Sequence, residues 1–98
     1  MNKSKCKIDA NGNKRWFLNG KWHREEINPE TGLTMPAIEY ANGSKFWYVN
    51  DKRHREDGPA TEFANGETRY WINDKHITQL DNKHIYGKEN LQKYLILI

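Results

Sequence analysis

Along this chain, rings, small turn residues and charges recur as three near-copies of one pattern. Tyr40-Ala41-Asn42-Gly43-Ser44-Lys45-Phe46-Trp47-Tyr48-Val49-Asn50-Asp51-Lys52 matches Phe63-Ala64-Asn65-Gly66-Glu67-Thr68-Arg69-Tyr70-Trp71-Ile72-Asn73-Asp74-Lys75 in the character of each position, and 23 residues separate Ala41 from Ala64. A third copy, Asp9-Ala10-Asn11-Gly12-Asn13-Lys14-Arg15-Trp16-Phe17-Leu18-Asn19-Gly20-Lys21, lies 31 residues before the middle one. Self-similarity of this kind decides the architecture before any single motif is weighed. Asn11-Gly12 reads as a type I′ hairpin turn, because both residues tolerate positive φ. A second turn, Asn19-Gly20, follows only seven residues later, which leaves no room for helix. The pattern predicts a mainly β chain, an antiparallel β-meander of three hairpin repeats.

Alternation assigns the strand faces. One carries Trp16, Trp47 and Tyr70 with Leu18, Val49 and Ile72, an aromatic followed by an aliphatic in every copy, and is the expected core stripe. The other carries Arg15, Phe46 and Arg69 with Phe17, Tyr48 and Trp71. A face of rings and guanidinium groups either stays half exposed, with Arg stacked on aromatics, or is the second buried side of a curled sheet. The alternation leaves both open.

Between the first two copies, residues 25–35 hold an insertion. Its Asn28-Pro29 and Thr31-Gly32 are turn chemistry, so an exposed loop is expected where the middle copy has the tight Glu56-Asp57-Gly58-Pro59. The third copy reads His76-Ile77-Thr78 where the others read Trp22-His23-Arg24 and Arg53-His54-Arg55, as a terminal repeat facing a cap would. From Lys88, which follows Gly87, the positions Leu91, Tyr94 or Leu95, and Ile98 fall at helical spacing, predicting a short amphipathic helix over 88–98, with a final strand as the alternative. The expected organisation is a basic arm over 1–8 (frayed, or a short edge strand ending at Ile8), a repeat domain over 9–80, and a C-terminal cap over 81–98.

A chain of 98 residues buries only roughly 60–65% of its unfolded surface, so its twelve aromatics must supply most of the core. A net charge of +3 permits an acidic partner but falls short of the basic stripe of a dedicated DNA binder. Cys6 is alone, which argues against a disulfide framework and for a reducing compartment. No apolar run follows the basic residues 3–7, and the run Tyr94–Ile98 is too short to span a bilayer. A cytoplasmic protein is expected. Eleven asparagines suggest an AT-rich genome, as in many phages and low-GC bacteria.

These repeats resemble the MORN type, in the bacterial and phage variant Tyr-x-Asn-Gly-x-x-x-Trp-x-x-Asn-Gly-Lys-x-His-Arg-x-Asp-Gly-Pro-Ala. The middle copy carries it as Tyr40, Asn42-Gly43, Trp47, Asn50-Asp51-Lys52 and His54-Arg55-Glu56-Asp57-Gly58-Pro59-Ala60. The first copy departs at its insertion, and the third lacks His-Arg and Asp-Gly-Pro-Ala. The resemblance covers residues 9–78. It implies a ribbon of successive β-hairpins that lacks catalysis and serves as a scaffold or binding surface.

His23-Arg24-Glu25-Glu26 and His54-Arg55-Glu56-Asp57 set a histidine beside carboxylates, as a general base would need. A single active site needs no second copy of its residues, so the recurrence favours structure instead: Arg paired with the carboxylates, His packed on a neighbouring ring. No Ser or Cys stands with a recognisable base, and no His pair has zinc spacing. The expectation is no enzyme, no cofactor and no metal. For binding, Arg15, Arg24, Arg55 and Arg69 would meet phosphates while Phe17, Tyr48 and Trp71 stack on bases. The same residues with His54 would otherwise form a protein interface, since Trp, Tyr and Arg dominate interface energies. The expected function is a non-catalytic binding protein, a phage-encoded inhibitor or adaptor that masks a surface of a bacterial defence protein such as a CRISPR nuclease, acting in the host cytoplasm. The alternatives are an oligomeric sponge for a nucleotide signal and an antitoxin-like module. A protein is the partner expected first and a nucleotide or nucleic acid second, with no membrane. The apolar tail Leu95–Ile98 leaves a homodimer open.

Overall fold

Three copies of one hairpin unit lie side by side and are closed at one end by a helical cap. The computed structural model describes residues 3–95. The first copy is β1 (Lys5–Ile8), β2 (Lys14–Leu18) and β3 (Lys21–Trp22). The second is β4 (Ile38–Glu39), β5 (Lys45–Phe46), β6 (Tyr48–Val49) and β7 (Lys52–Arg53). The third is β8 (Thr61–Glu62), β9 (Thr68–Arg69), β10 (Trp71–Ile72) and β11 (Lys75–His76). Pairing is antiparallel throughout, and the main sheet runs β1-β2-β4-β5-β8-β9 with β3 also on β2. The chain is the mainly β meander that its repeats predict.

Trp47 sits between β5 and β6 and explains how one extended stretch serves two sheets. Its N–H donates to Ala60 of the next copy, and its carbonyl accepts from His54 of its own hairpin. β5 therefore joins the main sheet, while β6 pairs only with β7. Trp16 repeats both bonds, with Ala37 and His23. Of the expected core stripe, Trp16, Trp47 and Tyr70 are buried, but Leu18, Val49 and Ile72 are only half-buried, because they lie past this junction on the two-stranded ribbons.

The turns differ from the expectation in one respect. Asn11-Gly12, Asn42-Gly43 and Asn65-Gly66 are not type I′, since only their glycines have positive φ. Each closes a three-residue loop: Asp9 N–H donates to Asn13, Gly12 N–H to Asp9, and the second and third copies repeat both bonds. This is a type I turn followed by a left-handed glycine. The I′ turns are Asn19-Gly20, Asn50-Asp51 and Asn73-Asp74, where both residues have positive φ.

β1 resolves the reading of the basic arm as the short edge strand. It occupies the place that β4 and β8 hold in their copies, with Ile8 opposite Lys14 as Glu39 is opposite Lys45. At the other end, the helix α1 (Lys88–Leu95) forms as expected, and Ile96–Ile98 lie outside the described residues. Leu91 packs into a cluster with Tyr70, Ile77 and Leu80, against which Leu95 also rests.

Candidate functional site

The His-Arg pairs are joints between copies. His23 Nδ1 accepts from the N–H of Asn50 (3.1 Å), and His54 Nδ1 accepts from the N–H of Asn73 (3.1 Å). Each histidine thus holds the tip of the next hairpin. The adjoining residues complete the joint, with Arg24 N–H donating to Tyr48 and Arg55 N–H to Trp71. Asp51 and Asp74 reach back, accepting from the backbone N–H groups of Trp22 (2.7 Å) and Arg53 (2.8 Å). The first copy has no hairpin before it, and there the turn is plain Asn19-Gly20. In the third copy Ile77 stands in the histidine's place and packs into the cap cluster. These histidines are structural acceptors, bound to the next hairpin's backbone rather than packed on a ring.

The arginines are the members that cover rings. Arg55 Cζ lies 4.0 Å from the Trp47 ring centroid, and Arg24 Cζ lies 3.8 Å from that of Trp16. Arg55 donates from Nε to Asp57 (2.7 Å) and from Nη1 to Pro59 O (3.0 Å) and Glu62 (3.1 Å), with 2% of its side chain exposed. Arg24 donates to Pro36 O (3.1 Å) and stands 3.5 Å from exposed Glu26. Both are buried, so the expectation that Arg24 and Arg55 are available to meet phosphates is corrected. A guanidinium stays inside at least cost when its donors are satisfied, as carboxylates and a carbonyl satisfy those of Arg55. Arg24 is held more loosely, by Pro36 O and Met35 Sδ, and its buried Nε has no hydrogen-bond partner.

Gly58 lies directly beneath this guanidinium. A Cβ there would meet Arg55 Cζ at 2.8 Å. Gly58→Ala is expected to cost about 1–3 kcal/mol, the range for overpacking, read as a lower midpoint in urea unfolding with an unchanged slope. Losing no stability would mean that Arg55 does not hold this position.

Asp57 ties the insertion to the middle copy. Burial would raise its pKa, but hydrogen bonds from Thr34 Oγ1 (2.7 Å) and Thr34 N (2.8 Å), and the Arg55 guanidinium, outweigh that and hold it below the usual carboxylate value. A carboxylate depressed on folding contributes stability that is present above its unfolded pKa, about 3.9, and is lost as pH falls through the folded value. Asp57→Asn is expected to be less stable than wild type near neutrality and to lose less on acidification below about pH 4. Parallel acid titrations of the two thermal midpoints check this, and identical slopes would refute it.

The remaining predicted residues lie on the outer face in two rows. Across the main sheet, Arg15 sits over Tyr40 (5.7 Å), Tyr40 meets Phe46 edge-on (5.4 Å), Phe46 meets Phe63 (5.9 Å), and Arg69 sits over Phe63 (5.9 Å). Across the ribbons, Trp22 meets Tyr48 (5.1 Å), Tyr48 pairs with Arg53, Arg53 covers Trp71 (3.6 Å), and Trp71 stacks on His76 (4.5 Å). Phe17 lies under Lys7 and opposite Trp22. Most of these rings are half-buried, and Phe63 is exposed. Tyr40, Phe63, Trp22 and Arg53 escaped the face assignment because they lie at loop ends and return strands, beyond the stretch where alternation was counted.

The cations of these rows already have partners: Arg15 with Asp9 (3.1 Å), Arg53 with Asp74 (3.4 Å), and Arg69 with Glu67 (2.9 Å). Hydrogen bonds from Asn13, then from Arg15, bring Asp9 down to about 2. Arg15 on β2 and Arg69 on β9 are four strand spacings apart, roughly 19 Å. With Arg55 buried, Arg15, Arg55 and Arg69 do not converge on one pocket within the chain.

Comparison with family models, curated proteins and solved structures finds no match to this chain. Among the described residues no group of three His, Cys, Asp or Glu side chains is placed to hold a metal ion, and no helix is long and apolar enough to cross a membrane.

Proposed function

We propose that this chain is a non-catalytic binding protein that engages a partner protein through the outer aromatic rows. In this reading it is an inhibitor or adaptor that masks a surface of a bacterial protein, with a phage-encoded origin and a defence nuclease as the first target to test. One observation carries the reading: the rings are half exposed, while every arginine among them is neutralised by a neighbouring carboxylate. Polyanion binding draws its affinity from unpaired cations that displace counterions. Partly exposed Trp, Tyr and Phe between satisfied arginines instead offer apolar area and cation–π contacts, the currency of protein interfaces. The MORN-like repeats agree with a role as a binding surface.

The test compares tagged wild type with Tyr48→Ala/Trp71→Ala in capture of a defined partner from a bacterial lysate at moderate salt. Truncating two anchor rings is expected to weaken binding by about thirtyfold or more, with the fold verified by unfolding midpoint. Undiminished retention by the folded variant would refute the outer-face assignment. Native mass spectrometry of an oligomer carrying a small extra mass would replace it with the nucleotide sponge.

A further inference from the structure

The two ends of the main sheet are finished differently. At the β9 end, Asn82 takes the place of a further strand: its N–H donates to Thr68 O (3.0 Å), and its Oδ1 accepts from Thr68 N–H (3.1 Å). Asp81 Oδ1 accepts from Tyr70 N–H (3.4 Å). That edge is closed. At the other end, β2 fills one side of β1, and among the described residues nothing pairs with its outer side. Alternate residues of an antiparallel strand turn their N–H and C=O groups away from the partner, so β1 presents a ready template for one more strand.

The side chains of this edge are of one sign. Lys3, Lys5 and Lys7 are exposed, and among the described residues none has an ion-pair partner. They line a groove of about 870 Å³ whose other lining includes Phe17 and Leu18. Ser4 Oγ donates to His23 O and pins the strand's start to the repeat. Lysines on an edge discourage pairing with a second copy, because like charges opposite each other on adjacent strands are destabilising. The same charges favour a strand whose facing residues are acidic.

We propose that the β1 edge accepts an extended acidic segment of a partner protein as an added strand, with Lys3, Lys5 and Lys7 selecting its charge and Phe17 offering the groove apolar area. This rests on the protein-binding reading above but uses the open sheet edge beside the outer rows, not the rows themselves. Strand addition draws affinity from main-chain hydrogen bonds and specificity from alternate side chains.

The probe is a blocked eight-residue peptide of alternating Val and Glu, with a Val-Lys peptide and oligo-dT as comparisons, followed by amide hydrogen exchange and NMR shifts of the full chain. The Val-Glu peptide is expected to slow exchange at Lys5–Ile8. Lys5→Glu/Lys7→Glu is expected to weaken it roughly tenfold and to admit the Val-Lys peptide instead, the change that reversing two exposed charges produces. The unfolding midpoint shows that the variant is folded. Absence of Val-Glu binding, binding without protection of Lys5–Ile8, or preference for oligo-dT would each overturn the proposal. Tyr48→Ala/Trp71→Ala should keep the Val-Glu site, so failure at the edge and failure of the outer face are read separately.

Discussion

Arg55→Ala is expected to destabilise the fold by about 3–5 kcal/mol, the cost of breaking a buried ion pair by removing one partner. Asp57 would keep Thr34 but lose its 2.7 Å bond to Nε, Glu62 and Pro59 O would lose Nη1, and the Trp47 ring would lose its cover. In a domain of this size each kcal/mol shifts the midpoint by about 4–8 °C, so the fall should exceed 10 °C. Arg55→Lys keeps the charge without the planar fork and should recover only part of the loss. Arg24→Ala should cost less, because its carboxylate neighbour Glu26 is exposed and 3.5 Å away. A loss below about 1 kcal/mol for Arg55→Ala, the level of an exposed pair, would mean a solvated guanidinium and would undo the account of the joint.

Leu91→Ala is expected to cost about 2–5 kcal/mol, the range for emptying a closed apolar site. Leu91 is the helix residue buried outright, against Tyr70, Ile77 and Leu80. Its loss should loosen α1 and also expose the third hairpin, whose Tyr70 hydroxyl lies 2.8 Å from Ile85 O and 3.0 Å from Lys83 O, with one proton to donate between them. Hydrogen exchange should therefore quicken from Tyr70 through Leu91 before it does in the first copy. Uniform quickening would mean that the cap and repeats unfold as one unit rather than from this end.

Much of the architecture was legible because turn chemistry and alternation are local. The copies, their strands, the terminal helix and the burial of Trp16, Trp47 and Tyr70 needed only spacing. The exposed-loop reading of 25–35 held only in part, for Thr34 is bonded to Asp57, 23 residues away. The Asn11-Gly12 turn was misassigned because the dipeptide suits both a two-residue I′ turn and the end of a three-residue loop. Register across the hairpin chooses between them, with Asp9 bonded to Asn13, Tyr40 to Ser44 and Phe63 to Glu67.

Of the outer site, Phe17, Tyr48 and Trp71 were placed on their face by alternation, and Arg15 and Arg69 with them. Arg24 and Arg55 lie buried in the joints, since a recurrent cation reads the same whether it serves a ligand or a neighbouring copy, and His54 holds the tip of the next hairpin through Nδ1. The sequence by itself determined that this chain is a β-meander of three hairpins with a helical end, since those signals act within a few residues. Only the tertiary structure decided which arginines are buried joints and which face outward. Burying a guanidinium depends on carboxylates and carbonyls arriving together around it, and that convergence exists only once the copies are stacked.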